Sequence, residues 1–322
     1  MKLKEREVNI LQYLDYPTHI NDIKLTQEVL ISTGAYKPAL KIHLLDELSL
    51  KNERCMENEA VKIEPLTKDG LKLVLLRSDR YIDVHAKYGY HTSFRLPCYG
   101  REMQFNPIDA ELMVNGNKGL FRFNFDEGRF VTELVKYNVD TFKWSPVHGL
   151  TALANEKNVY FCDYRAQKEI AMLDSQSDIV GIDFTPNGIN FAFVSETGDA
   201  FYYDLRKKEP IKNYSIKPTV KSLKFNNTFL CMADDEKLCI FDTEFGHKNE
   251  EKYLQIIIEN IKTFEFDCGL FFIITDDGCE VKTYFCKDIG GAPTWCKFLE
   301  AEENFGDLSS KKIDENIKST SK

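Results

Sequence analysis

The chain has 322 residues, 43% of them hydrophobic and 12% aromatic, which is enough to bury a large core. Its 42 Lys+Arg against 51 Asp+Glu leave a formal charge of −9, which excludes a broad nucleic-acid surface though not a local basic patch. Nine cysteines without a C-x-x-C spacing argue for a reducing compartment, and no long apolar run marks a secretory leader or a membrane span.

In chain order, the first apolar segment is Val8–Leu14, which reads as a strand standing before the first complete repeat. Four strands are then expected at Ile20–Leu25, Val29–Gly34, Leu40–Leu45 and Leu50–Cys55. Four more follow at Ala60–Leu66, Leu71–Leu76, Arg80–His85 and His91–Leu96. Ala110–Asn115 and Gly119–Asn124 flank the turn Gly116-Asn117-Lys118, with Phe130–Leu134 outside them. Val139–Trp144, Leu150–Ala154, Asn158–Asp163 and Lys168–Leu173 come next. Ile179–Phe184, Phe191–Val194 and Ala200–Asp204 are separated by the Gly-, Asn- and Asp-containing turns that hairpins favour. Val220–Phe225, Phe229–Ala233, Leu238–Asp242 and Tyr253–Ile258 follow, with Thr243–Lys252 as the longest connection. Ile261–Phe266, Leu270–Thr275 and Cys279–Phe285 close the series.

A repeat runs through these strands. Asp199–Arg206 (D-A-F-Y-Y-D-L-R) and Val159–Arg165 (V-Y-F-C-D-Y-R) share an apolar β-forming core ending in Asp, and Leu238–Asp242 is a shorter copy. Looser copies at Ile42–Asp46, Tyr81–His85, Leu120–Asn124 and Val281–Phe285 bring the terminal positions to 46, 85, 124, 163, 204, 242 and 285. Successive differences are 39, 39, 39, 41, 38 and 43, a period of about 40 with about four strands per unit. That is the pattern of WD-type blades. The expectation is an all-β, seven-bladed WD40-type β-propeller over residues 1–291, with Val8–Leu14 as the outer strand of blade seven. Residues 292–322 form a C-terminal segment whose charged tail is too polar to bury a core, and is expected to be disordered or helical only against a partner.

Candidate chemistry is sparse. His19, His43, His85, His91, His148 and His247 are scattered over different units, and none stands at metal-ligand spacing from a Cys or a carboxylate. Cys268, Cys279, Cys286 and Cys296 match no zinc pattern, and neither a nucleophile elbow nor a phosphate-cradling glycine loop occurs. A protein without catalytic, cofactor-binding or metal site is expected. Asp163-Tyr164-Arg165 and Asp204-Leu205-Arg206 resemble the W-D-x-R box by which some propellers dock onto a cullin-ligase adaptor. They also suit an Asp that caps a turn with an Arg packed beside it. Lys37, Arg54, Arg80, Arg95 and Arg101 come from the first two units and the entry to the third. They suit either an anionic partner such as RNA phosphates or an ordinary solvated surface. Trp295, Phe298 and Leu299 sit in polar surroundings, where they are expected to fold back on the propeller or anchor a partner.

Specific strings carry a resemblance. The first third reads Asp15-Tyr16-Pro17-Thr18, Thr33-Gly34-Ala35-Tyr36-Lys37-Pro38, Glu47-Leu48-Ser49-Leu50-Lys51, Glu53-Arg54-Cys55, Ser78-Asp79-Arg80-Tyr81-Ile82, Phe94-Arg95-Leu96-Pro97 and Gly100-Arg101. Further on come Glu127-Gly128-Arg129-Phe130, Val147-His148-Gly149-Leu150, Tyr203-Asp204-Leu205-Arg206 and Ala292-Pro293-Thr294-Trp295-Cys296-Lys297-Phe298-Leu299. In this order, from about residue 8 to about residue 300, they resemble the nucleolar protein 10 family of WD-repeat assembly factors of the small-subunit processome. The resemblance implies a nucleolar, non-enzymatic scaffold held among other small-subunit assembly factors and pre-ribosomal RNA, with no membrane. Family members continue into a long basic, helical C-terminal region, so the chain is expected to be a form lacking that extension. The other expectation, resting on the Asp-x-Arg endings alone, is a substrate receptor of a cullin-type ubiquitin ligase.

Overall fold

All strand runs but the first pair within a group of sequence neighbours, because the connecting turns are short. The result is a ring of hairpins. In the computed structural model, which describes residues 8–131, 138–216, 220–226, 228–243, 253–267, 269–276, 278–287, 289–292 and 297, the chain forms seven antiparallel four-stranded sheets. Among the described residues there is no α-helix.

The N-terminal strand β1 (Asn9–Asp15) precedes blade one, which is β2 (Ile20–Leu25), β3 (Val29–Gly34), β4 (Ala39–Leu44) and β5 (Ser49–Cys55). Blade two is β6 (Ala60–Pro65), β7 (Leu73–Arg77), β8 (Tyr81–Ala86) and β9 (Gly89–Arg95). Blade three is β10 (Gly100–Asn106), β11 (Glu111–Gly116), β12 (Gly119–Asn124) and β13 (Arg129–Phe130). Blade four is β14 (Thr141–Trp144), β15 (Leu150–Asn155), β16 (Asn158–Asp163) and β17 (Lys168–Asp174). Blade five is β18 (Ile179–Phe184), β19 (Asn190–Ser195), β20 (Asp199–Asp204) and β21 (Lys212–Ser215). Blade six is β22 (Ser222–Asn226), β23 (Phe229–Ala233), β24 (Lys237–Asp242) and β25 (Leu254–Ile257). Blade seven joins β26 (Ile261–Asp267), β27 (Leu270–Thr275) and β28 (Glu280–Phe285) to β1, in the order β1-β28-β27-β26.

Blade seven is therefore closed by the first strand of the chain, with Asn9 opposite Phe285, Tyr13 opposite Lys282 and Asp15 opposite Glu280. The N–H of Gln12 donates to Thr283 Oγ1 at 3.1 Å, and that hydroxyl donates back to the Gln12 carbonyl. This pairing satisfies an edge that would otherwise invite association with other chains. The seam behind it is apolar. Leu14 and Tyr16 pack with Ile20, Ile23 and Leu30 of blade one and with Phe272, Ile274 and Val281 of blade seven.

The inner strands follow one another around the channel as β2, β6, β10, β14, β18, β22 and β26, and β26 returns to β2. Burial falls from the middle of each blade outward. β3, β11 and β27 are buried at every position, whereas four of the seven residues of β5 are exposed and the rest half-buried, and six of seven in β17 are exposed. Adjacent blades share their cores, as where Val29, Ile31 and Leu40 of blade one meet Ala60, Ile63 and Leu75 of blade two. Burying each of the larger side chains among these contributes roughly 1.5–3 kcal/mol.

The repeat read from the sequence coincides with the third strand of every blade, counted from the channel. β8, β12, β16, β20, β24 and β28 end at or within one residue of positions 85, 124, 163, 204, 242 and 285. Two strands go beyond the expected set. β10 is the inner strand of blade three, and β21 is the outer strand of blade five. In β10 (G-R-E-M-Q-F-N) polar residues interrupt the apolar signal, and β21 contributes a single buried side chain, Tyr214. β13 is shorter than the expected Phe130–Leu134, of which 132–134 lie outside the described residues, as do 244–252 of the long connection.

Candidate functional site

Antiparallel order places the turns between second and third strands on the same face as the connections between blades. Backbone hydrogen bonds tie the two together: Ala35 N–H to the His19 carbonyl (2.9 Å), Asn117 N–H to Tyr99 (3.2 Å), Glu196 N–H to Asp178 (2.8 Å). All five basic candidates belong to this end of blades one to three. Lys37 is in the β3–β4 turn and Arg80 in the β7–β8 turn; Arg54, Arg95 and Arg101 stand near the ends of β5, β9 and β10.

Their environments differ. Lys37 and Arg95 are exposed. Arg54 donates to the carbonyls of Ala86 (3.0 Å) and Lys87 (2.8 Å) in the β8–β9 turn, locking blade one to blade two. Burial lowers its guanidinium pKa, a direction consistent with its desolvated seat. Arg80 lies 5.1 Å from the ring centroid of Tyr99. Arg101 donates to the Val139 carbonyl at 3.0 Å and to Asn138, joining blade three to blade four. Trp295, Phe298 and Leu299 lie outside the described residues.

The channel holds a concentrated set of ionisable groups. On each inner strand two alternate positions flank a buried apolar residue and face inward. One ring reads Asp22, Lys62, Glu102, Thr141, Gly181, Ser222, Thr263; the next reads Lys24, Glu64, Gln104, Lys143, Asp183, Lys224, Glu265. The second ring holds three lysines and three carboxylates, which pair across blade boundaries: Lys224–Glu265 at 2.6 Å, Lys143–Asp183 at 3.6 Å, and Lys24 at 3.7 Å from Glu64 and 4.0 Å from Glu265. Burial works against the charge of Lys24, but the carboxylates of Glu64 and Glu265 outweigh it and raise its pKa. At Lys224 burial prevails and lowers the pKa; at Glu64 burial raises it.

The same side chains clasp the backbone of the next blade. The N–H of Ile63 donates to Asp22 (3.0 Å), Phe105 to Glu64 (3.0 Å), Trp144 to Gln104 (2.7 Å) and Phe225 to Asp183 (2.7 Å). Inner strands have no sheet neighbour on the channel side, so these carboxylates and amide satisfy N–H groups that would otherwise stay unpaired. The channel, about 310 Å³ in volume, is thus a closure device built of mutually satisfied charges. Sequence spacing carried this signal: residues 22, 62, 102 and 141 recur at the blade period.

The aspartates of both Asp-x-Arg endings are occupied within their own turns. Asp163 Oδ1 accepts from the N–H of Arg165 (2.9 Å) and Ala166 (3.2 Å). Asp204 accepts from the Arg206 N–H (2.9 Å) and from its guanidinium at 2.9 and 2.8 Å, bonds that hold the Asp204 carboxyl down at about 2. Among the described residues no group of three or more His, Cys, Asp or Glu is placed to hold a metal ion. No helix there is long and apolar enough to cross a membrane.

A family model described as the nucleolar protein 10-like N-terminal domain, a β-propeller, matches residues 1–305. The chain belongs to the nucleolar protein 10-like family. Nucleolar protein 10 of Danio rerio is 28% identical over 329 residues, covering 93% of this chain and 45% of the relative. The ribosome biogenesis protein ENP2 of Saccharomyces cerevisiae is 28% identical over 318 residues, covering 92% of this chain and 45% of the relative. Nucleolar protein 10 of Homo sapiens is 27% identical, with 93% and 47% covered. The chain spans about half the length of these curated relatives, and the matched half contains every blade.

Proposed function

We propose that the chain is a non-catalytic scaffold in ribosome small-subunit biogenesis, acting in the nucleolus as part of the small-subunit processome during pre-ribosomal RNA processing. The observation that carries this reading is the match of the whole ring to relatives named for the nucleolus and for ribosome biogenesis. A closed ring offers turns on two faces and an outer rim, surfaces suited to several partners at once. Its partners are other small-subunit assembly factors and the pre-ribosomal ribonucleoprotein. The formal charge of −9 means that affinity comes chiefly from protein contacts, with RNA held only locally.

Depletion tests the assignment. Unprocessed small-subunit precursor RNA accumulates first, while large-subunit precursors are initially spared. Normal small-subunit processing in depleted cells refutes the scaffold. Copurification with a cullin-ligase adaptor, in place of processome factors, would transfer the chain to the ligase class.

A further inference from the structure

The channel changes character at one of its ends. Beyond the second ring of charges, the next position on the seven inner strands is Leu25, Pro65, Phe105, Trp144, Phe184, Phe225 and Phe266, apolar in every blade. Trp144, Phe184 and Phe266 are buried, whereas Leu25, Pro65, Phe105 and Phe225 stay half-buried. With Leu66 these four edge a cavity of about 510 Å³, on the face formed by the turns between first and second strands. Apolar surface gathered in a concave mouth is surface that gains from being covered.

The chain itself leads to this mouth. After Phe285, the Cys286 N–H donates to the Gly269 carbonyl at 2.9 Å and the Ile289 N–H to the Cys286 carbonyl at 3.2 Å, which turns the backbone over blade seven. The crossing is close: a Cβ on Gly269, at φ 88°, would lie 2.7 Å from the Cys286 carbonyl and 3.1 Å from the Gly290 nitrogen. Ala292 then joins the core shared by Phe272 of blade seven and Leu25 of blade one. With Gly291 it lines a second cavity, of about 180 Å³, which shares Leu25 and Asp267 with the first.

Trp295, Phe298 and Leu299 follow within seven residues of Ala292, a reach of at most about 25 Å. Lys297 is the only charged residue from 293 to 299, and Asp46 and Asp267 edge the cavity beside Ala292. The match to the family's propeller model runs to residue 305, past Leu299. A segment tethered this close has an effective concentration in the millimolar range, against which a free partner competes poorly.

We propose that residues 293–299 fold back over the apolar mouth of the channel, seating Trp295, Phe298 and Leu299 among its half-buried side chains. The N-terminal strand and this segment then close the same seam, between blades seven and one. The inference does not depend on the scaffold reading. Where both hold, assembly factors meet the ring on its rim and its other face.

The test is acrylamide quenching of tryptophan fluorescence in the full chain. There are two tryptophans, and Trp144 is buried, so any quenchable emission reports Trp295. Both are protected in the wild type. Leu66→Glu, at the edge of the mouth, makes about half of the emission quenchable, the share of one tryptophan in two. The protected half, from Trp144, shows in the same sample that the ring stays folded. Should Leu66→Glu unfold the ring, Pro107→Glu on the exposed blade-three edge gives the same reading. Tyr36→Glu puts the same charge on the opposite face and leaves Trp295 protected.

A wild-type chain with half its emission quenchable overturns the proposal. So does a protected Trp295 that neither mouth variant releases, or one that Tyr36→Glu releases as well. Protection that appears only as protein concentration rises assigns the mouth to a second copy. Protection found only in the purified particle assigns it to an assembly factor. In either case the fold-back falls.

Discussion

Lys262 Nζ, on the inner strand of the last blade, donates to the carbonyl of Ile20 in the first blade at 2.9 Å, across 242 residues of sequence. The same contact recurs around the ring. Asn21 donates to the Ala60 carbonyl at 2.9 Å, and Arg101 to that of Val139 at 3.0 Å. Each donor stands where its inner strand slips register against the second strand: between Ile20 and Asp22, between Gly100 and Glu102, and between Ile261 and Thr263. The bulge turns that one side chain away from its own blade and toward the next.

Arg101 is therefore expected to act on stability more than on RNA. Arg101→Ala removes a charged donor from two acceptors at the boundary between blades three and four, with an expected loss of about 1–2 kcal/mol. Urea denaturation measures it.

Closure by β1 makes the first strand a determinant of the whole ring. Removing residues 1–16 strips Leu14 and Tyr16 from the seam and bares β28 along its length. A large drop in thermal midpoint and association on size exclusion are expected. The milder Leu14→Ala should cost about 2 kcal/mol without association, because the strand pairing survives.

In the channel, Glu265 stands between Lys224 and Lys24. Glu265→Leu leaves these two lysines with a carboxylate missing between them, an expected loss of about 2–3 kcal/mol. Adding Lys224→Met should recover part of it, since the double variant removes the uncompensated cation. A double-mutant cycle by denaturant titration gives the coupling.

His43 and His85 occupy buried positions on the third strands of blades one and two, and burial lowers both to about 4 from the usual 6.5. Lys41 adds to the effect at His43 and Arg54 at His85. A depressed histidine disfavours protonation of the folded state. Below pH 6.5 the unfolded chain takes up protons that the folded chain refuses, so stability falls from about pH 6.5 toward pH 4 and levels off below. Urea midpoints across that range check this, and His43→Gln/His85→Gln should flatten the decline.

Much of the ring was legible in the sequence because the third strand of each blade is apolar and ends at a polar turn residue, as Phe201–Asp204 and Phe241–Asp242 do. Position in the chain revealed the closing strand, since Val8–Leu14 (β1, Asn9–Asp15, in the structure) was left over at one end and a partner was lacking at the other. Inner strands were harder to read. Glu102 and Gln104 look like loop residues until the next blade supplies Phe142 and Trp144 as donors. Basic residues were ambiguous for the same reason: Arg95 and Arg101 are alike in sequence and both exposed, and only the neighbouring blade shows that Arg101 is a clasp.

The pairing of Gln12 with Thr283 joins residues 271 positions apart, which sets a timetable for synthesis. At about 5–20 residues per second, β1 leaves the ribosome roughly 15–55 s before β28 exists to receive it. For that interval Leu11 and Leu14 travel on a strand without a sheet, while the other blades are already assembling. The first strand of the ring to be made is the last to be placed, so translation past Phe285 is the event that completes the ring.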